Sequence, residues 1–286
     1  MGGFMIKIIN DDLYLKMIAW FKNHVKNHNK ILNEDLLVSL KYALVDRAYL
    51  AYYEDGSGFV VLYPYDDNIA LNPWFLGGYP IGEGAEYLID EAVIFFNKTA
   101  YKRLEMIGPS EYFENKNIPM DLSYQYVDLI KVIEKTDLPD EAFVSISDIR
   151  EEDLKAVYHD AFSGSDAKFY SFQSRLEKKE FWTCLHYELA VKEKSSTAIF
   201  KENELVGFVF SYDNEGHKHI SCMCIKKKFQ HQGYGTKILQ HVLYYAYLEG
   251  YKYLTLGTEK TMKAYDLYKS FGFEIKNTKS YFIKIK

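Results

Sequence analysis

Three landmarks recur along this chain in the same order and at nearly one spacing. Gly58-Phe59-Val60 lies 149 residues before Gly207-Phe208-Val209, Gly82 and Gly84 lie 151 before Gly233 and Gly235, and Tyr101-Lys102 lies 150 before Tyr251-Lys252. The first landmark sits in strand-like text, "YEDGSGFVVLYPYD" against "ENELVGFVFSYD". The second opens a helical pattern and the third opens a strand, "YKRLEMIG" against "YKYLTLGT". Two unrelated α/β domains could share such grammar, but the common order and spacing favour duplication. In 286 residues that leaves room for two copies of one unit. The expected boundary is "TDLPDEA", between Lys135 and Phe143, where Pro and acids collect. This gives domains at 1–138 and 143–286.

Periodicity supplies the elements of the second copy. The strand "FVSISDI" leads into a helix over 151–162 and another over 165–183. Strands "STAIFKE", "LVGFVFSY" and "HISCMCI" follow, then a helix from Gly233 to Leu248. Strand "YKYLTLG" precedes a helix at 261–271, and "GFEIKN" and "SYFIKIK" close the copy as two strands. The first half runs in the same order, with helices at 11–30, 33–45 and Gly82–Phe96. The expected class is α+β, each half a mixed, mostly antiparallel sheet flanked by helices. A doubly wound dinucleotide fold does not fit, since the third glycine of G-x-G-x-x-G is missing and apolar residues follow Gly235.

With 48% hydrophobic and 26% charged residues, the chain has material for a core and a solvated surface. No apolar stretch is long enough to span a bilayer. The start, "MGGFMIKIIN", lacks a signal peptide's pattern and has Ile6 where myristoylation needs Ser or Thr. Three cysteines, Cys184, Cys222 and Cys224, are too few for a disulfide framework, so a reducing cytoplasm is expected. Cys222 and Cys224 should face one way on a strand as core residues, and no metal is expected. Residues 1–142 carry 13 basic and 22 acidic residues, a balance of −9; residues 143–286 carry 22 and 18, a balance of +4. The acidic half argues against a nucleic-acid partner.

The segment "QHQGYGTKIL" puts Gly233 and Gly235 at a strand-to-helix corner. Glycines let backbone amides turn inward, and the first amides of a helix have no internal partner, so the corner is suited to a phosphate or diphosphate. Lys226, Lys227 and Lys228 just upstream could supply neutralising charge.

The run "CMCIKKKFQHQGYGTKIL … YLTLGTE … MKAYDLYKSFGFEI" resembles the GNAT (Gcn5-related N-acetyltransferase) superfamily over roughly 143–286. Gln230-His231-Gln232-Gly233-Tyr234-Gly235 is similar to the family's Gln/Arg-x-x-Gly-x-Gly/Ala loop, and residues 264–273 resemble its A-x-x-L-Y-x-x-x-G-F segment. The resemblance implies acetyl-CoA as acyl donor, with its diphosphate on the amides of 231–236, Thr236 included. Its pantetheine arm would pair with the backbone of Met223, Cys224 and Ile225. Thr261 stands where the family often has Asn, which leaves one hydroxyl in place of an amide.

Tyr268 is implied as the group that assists the leaving thiolate, with Tyr265 its impostor on the same helix face. The acceptor would be a primary amine of a small molecule or peptide. His217, His219, Glu204, His186 and Glu188 are candidates for the base, none singled out. In the first half Tyr79 and Pro80 replace Gln230 and His231, and "SEYFENKNI" with Tyr112 lacks L-Y-x-x-x-G-F. That half is expected to be a degenerate copy that helps shape the acceptor pocket, its acidity suiting a cationic acceptor or serving only as a soluble surface. A non-catalytic acyl-CoA-binding sensor or scaffold, and a transferase of a longer acyl group, remain rival readings. The oligomeric state is open.

Overall fold

In the structure, a computed structural model, residues 4–25, 40, 48–54, 57–66, 73–81, 85–109, 122–165, 167–168 and 185–286 are described. They form two units, Met1–Tyr126 with Asn277–Lys286, and Val127–Lys276. The linker expected at 139–142 lies inside the second.

The first unit comprises β1 (Phe4–Ile8), α1 (Asp11–Val25), β2 (Tyr49–Tyr53), β3 (Phe59–Asp66), β4 (Pro73–Ile81), α2 (Ala85–Asn97) and β5 (Arg103–Pro109). Neighbours β1 to β4 pair antiparallel, and β4 pairs parallel with β5. The sheet is completed from the far end of the sequence, because Lys279–Ile285 pair antiparallel with β5. Alternation along β3 assigns the faces. Phe59, Val61 and Tyr63 pack with Leu13, Met17 and Phe21 of α1, while Val60 and Leu62 pack with Leu88, Ile89 and Phe96 of α2.

The second unit takes residues 127–132 of β6 (Leu122–Val132), then β7 (Phe143–Ser145), α3 (Glu151–Phe162), α4 (Tyr187–Ala190), β8 (Thr197–Lys201), β9 (Glu204–Asn214), β10 (His217–Ile225), α5 (Tyr234–Leu248), β11 (Tyr253–Glu259) and α6 (Lys263–Ser270). Strand β12 (Glu274–Ile285) begins here and ends in the first unit. The strand order is β6-β11-β10-β9-β8-β7, parallel between β10 and β11 and antiparallel from β10 to β7. Helix α3 buries Leu154, Val157, Tyr158 and Ala161 against Phe208, Phe210, Cys222 and Cys224. Helix α5 buries Ile238, Leu239 and Val242 against Val206, Val209 and Ile220 on the other side. Two-residue turns join β8 to β9 and β9 to β10. Their residues, Glu202-Asn203 and Glu215-Gly216, all have positive φ, as type I′ turns require.

Several expectations need correction. "FVSISDI" is a three-residue strand followed by a 3-10 turn over Ile146–Asp148, where Ser145 Oγ accepts from the Ser147 N–H. "GFEIKN" and "SYFIKIK" form one continuous twelve-residue strand, with Asn277 and Thr278 kept extended and the ladder to β5 beginning at Lys279. The expected helices at 33–45 and 165–183, apart from Leu40, Ser165, Ala167 and Lys168, fall outside the described residues, as do Gly82, Gly84, Tyr112 and Cys184.

Candidate active site

The site starts from an irregularity in β10. Ile220 stands opposite Ser211 and Cys222 opposite Phe210, so Ser221 is an extra residue, a β-bulge, with its Oγ donating to the Leu185 carbonyl at 2.6 Å. Parallel pairing with β11 covers only Lys218–Ile220 and stops at the bulge. Beyond it β10 keeps β9 on one edge and has no pairing to β11. The Lys226 N–H donates to the Val206 carbonyl at 2.8 Å. Strand alternation then turns the backbone groups of Cys224 toward β9 and those of Met223 and Ile225 toward the open edge. Gly207 permits this arrangement: a Cβ there would lie 2.4 Å from Ile225 Cδ1 and 2.5 Å from the Cys224 carbonyl oxygen.

After Ile225 the chain makes a 3-10 turn over Lys227–Phe229 and enters the corner. Gln230 Nε2 donates to the Ile225 carbonyl at 2.9 Å, and Gln232 Nε2 to the Lys228 carbonyl at 2.8 Å. Both amide side chains thus brace the loop. His231 and Gly233 have φ of 60° and 84°. Gly233 is the N-cap of α5, no side chain caps that end, and the first helical bond runs from Lys237 N–H to the Gly233 carbonyl. The amides of Tyr234, Gly235 and Thr236 therefore stand outside the helical ladder at its positive end.

The open strand edge and the uncapped helix end face one cleft of about 430 Å³. Eight expected residues line it: Met223, Cys224, Ile225, Gln230, His231, Gly233, Gly235 and Thr236. The opposite wall comes from the end of α3, with Ala161 and Phe162, and from the start of α6, with Met262, Lys263, Ala264 and Leu267. The sequence reading missed this wall. A lysine opening a helix, against the dipole, was the signal available for Lys263.

Gln232, Tyr234, Thr261 and Tyr268 do not line the cleft. Thr261 is exposed just before α6. Tyr268 is 5% exposed and packs edge-on against Phe273 at 5.8 Å, in a core with Val127 and Leu129. The three lysines upstream are engaged elsewhere. Lys226 and Lys228 pair with Glu204 at 3.1 and 2.5 Å, and Lys227 binds the Ser163 carbonyl while its N–H donates to Asp160 Oδ2.

None of the five base candidates lines the cleft. Glu204 is held by Lys228 and Lys226, which lower its pKa and keep it a carboxylate. Burial, helped by His186, lowers His219 to about 4, and its Nδ1 meets Thr255 Oγ1 at 2.9 Å. His186 lies against Tyr212 at 4.7 Å and His217 edge-on to Tyr253 at 5.5 Å, while Glu188 is exposed on α4. Cys222 and Cys224 are buried in the α3-side core, and burial, with Cys222 adding to it, pushes the Cys224 thiol well above its ordinary range. No group of three or more potential metal ligands occurs among the described residues, and no helix there is long and apolar enough to cross a membrane.

The sheet is thus mixed, its adjacent parallel strands part at a bulge, and its next helix opens uncapped beside the gap. Residues 153–273 match the acetyltransferase (GNAT) family, and this part of the chain is a GNAT domain. Solved structures extend the likeness in fold to the whole chain. A GCN5-related N-acetyltransferase from Sphaerobacter thermophilus superposes with a TM-score of 0.66 at 12% identity, over 99% of this chain and 95% of the other. The glucosamine N-acetyltransferase region of a fungal multi-domain GH3 β-N-acetylglucosaminidase gives 0.65 at 14%, over 99% of this chain and 38% of that one. A GNAT-family acetyltransferase from Colwellia psychrerythraea gives 0.53 at 12%, over 99% and 100%. No curated protein sequence matches this one.

Proposed function

We propose that the chain is an acetyl-CoA-dependent N-acetyltransferase acting on a primary amine of a small molecule or peptide. The observation that carries this reading is the continuity of the cleft. The open β10 edge at Met223 and Ile225 leads directly to the uncapped amides at the start of α5. A pantetheine amide can add to such an edge as a strand would, while a diphosphate meets the helix end. The Ile225 carbonyl already accepts from Gln230, so the Met223 groups and the Ile225 N–H are the available partners. Cys224 would contribute its side chain to the wall rather than its backbone.

Acyl transfer requires a neutral amine and a stabilised leaving thiolate. An alkyl amine of pKa about 10.4 is free to roughly one part in a few thousand at pH 7, so its proton must be taken up by a base or a water chain. A thiol leaves with pKa about 8.5 against about 10 for an ordinary tyrosine, so full proton transfer between unperturbed groups is uphill by about 2 kcal/mol. We assign Tyr268 a hydrogen bond to the sulfur as charge develops. Its place in the core favours the second reading, a non-catalytic acyl-CoA-binding protein. A longer acyl donor is a third, because the helix end reads the diphosphate and not the acyl group.

The first unit we read as a degenerate copy without a donor site. Titration of acetyl-CoA into the full chain by calorimetry should give one site per chain. Two sites would show the first unit to be intact, and none would refute the donor assignment. Turnover in an amine panel should fall about tenfold to a hundredfold in Tyr268→Phe with acetyl-CoA affinity kept. Unchanged turnover on every accepted amine would remove Tyr268 from the mechanism. Binding without turnover on any amine would favour the sensor.

A further inference from the structure

We propose that the Lys263 ammonium is the positive charge that pairs with the diphosphate of the acyl donor, an inference that rests on the donor assignment above. Among the described residues, those lining the cleft include no carboxylate, and beside His231 the one side chain there able to carry positive charge is Lys263. The four lysines at 226–228 and 237 are committed. Lys226 and Lys228 share Glu204, Lys227 is held at the end of α3 by the Ser163 carbonyl, and Lys237 pairs with Glu141. Lys263 is exposed and pairs with no carboxylate among the described residues.

Its position is also locally unfavourable. Lys263 is the first residue of α6, where the helix dipole repels a cation. A residue that breaks a local rule in this way is expected to be compensated by a ligand. The two helix starts are close: an added Cβ on Gly235, in the first turn of α5, would lie 3.3 Å from Leu267 Cδ2. Lys263 precedes Leu267 by four residues and so shares its face of α6, the one turned toward the start of α5. An anion resting on the amides of Tyr234, Gly235 and Thr236 would have this ammonium opposite. Lysine serves there as a point charge that follows a phosphate without fixed geometry.

Calorimetric titration of the full chain with CoA, dephospho-CoA and pantetheine tests the assignment. Lys263→Gln should weaken CoA and dephospho-CoA alike by about tenfold, and Lys263→Glu by about a hundredfold, with pantetheine unaffected. Lys263→Arg should stay close to the parent, and the melting temperature of Lys263→Gln should not fall. Equal CoA affinity in the parent and Lys263→Glu overturns the inference alone. A loss seen with CoA but not with dephospho-CoA also overturns it, placing the ammonium on the 3′-phosphate. If the parent binds none of the three, the donor assignment falls and this inference with it.

Discussion

The two strand-to-helix corners differ in length although their glycines are 151 residues apart, close to the 149 and 150 of the other landmarks. In the first unit β4 runs to Ile81 and α2 starts at Ala85, leaving residues 82–84 between them. In the second, β10 ends at Ile225 and α5 starts at Tyr234, leaving residues 226–233. The difference is offset in the preceding hairpin, where residues 67–72 separate β3 from β4 but only 215–216 separate β9 from β10. In the second unit the longer connection lies at the strand-to-helix corner. There it builds the 3-10 turn, the two glutamine braces and the positive-φ residues that leave a helix end open. The second unit also inserts Ser221, a bulge at which the β10–β11 ladder stops after Ile220, whereas the β4–β5 ladder shows no register shift over Phe75–Gly78 and stops there, before β4 ends at Ile81. Pro80, which the 151-residue offset sets against His231, has no N–H to offer an anion.

Substituting the two corner glycines separately is the strongest way to break this contrast. Gly235→Glu places a carboxylate at the open helix end and should reduce acetyl-CoA affinity at least about a hundredfold, while Gly84→Glu should leave it unchanged in the same calorimetric assay. Loss in both would mean that both corners serve the donor.

Acid should also separate the units. Burial holds His219 and His241 near 4 in the folded state, below the unfolded value of about 6.5. As pH falls through this window the unfolded chain takes up protons that the folded one does not, so stability drops. By pH 5 the loss is about 2 kcal/mol for each histidine. Hydrogen exchange at pH 7 and 5 should show loosening in β10 and α5 ahead of β3. Replacing His241 with Gln should flatten that trend.

The smallest expected effect is Gly207→Ala, whose methyl would crowd Ile225 and Cys224. It should cost about 1–3 kcal/mol in denaturant unfolding and weaken acetyl-CoA several-fold by displacing the open edge.

Local chemistry was legible in the sequence. The acids of Glu151–Asp153, the apolar spacing of Leu154, Val157, Tyr158 and Ala161, and Gly233 before an apolar helix placed α3 and α5 to within a residue. Eight of the expected site residues line one cleft because the corner is a contiguous segment whose geometry its own glycines set. What was hidden depends on partners distant in sequence. Glu204 engages Lys226 and Lys228 across 22 and 24 residues, and α6 supplies the facing wall. The bulge at Ser221 appears only once β9 fixes the register. Nearly equal landmark spacings also concealed the different lengths of hairpin and corner in the two units.

The assignment of Asn277–Lys286 to the first unit has a consequence for biosynthesis. The strand that completes the first sheet follows the whole second unit in sequence, so β5 must wait with one edge unpaired while the 167 residues from 110 to 276 are added. At about 5–20 residues per second that is roughly 10–30 s. The amino-terminal unit, first to leave the ribosome, would then be the last to close.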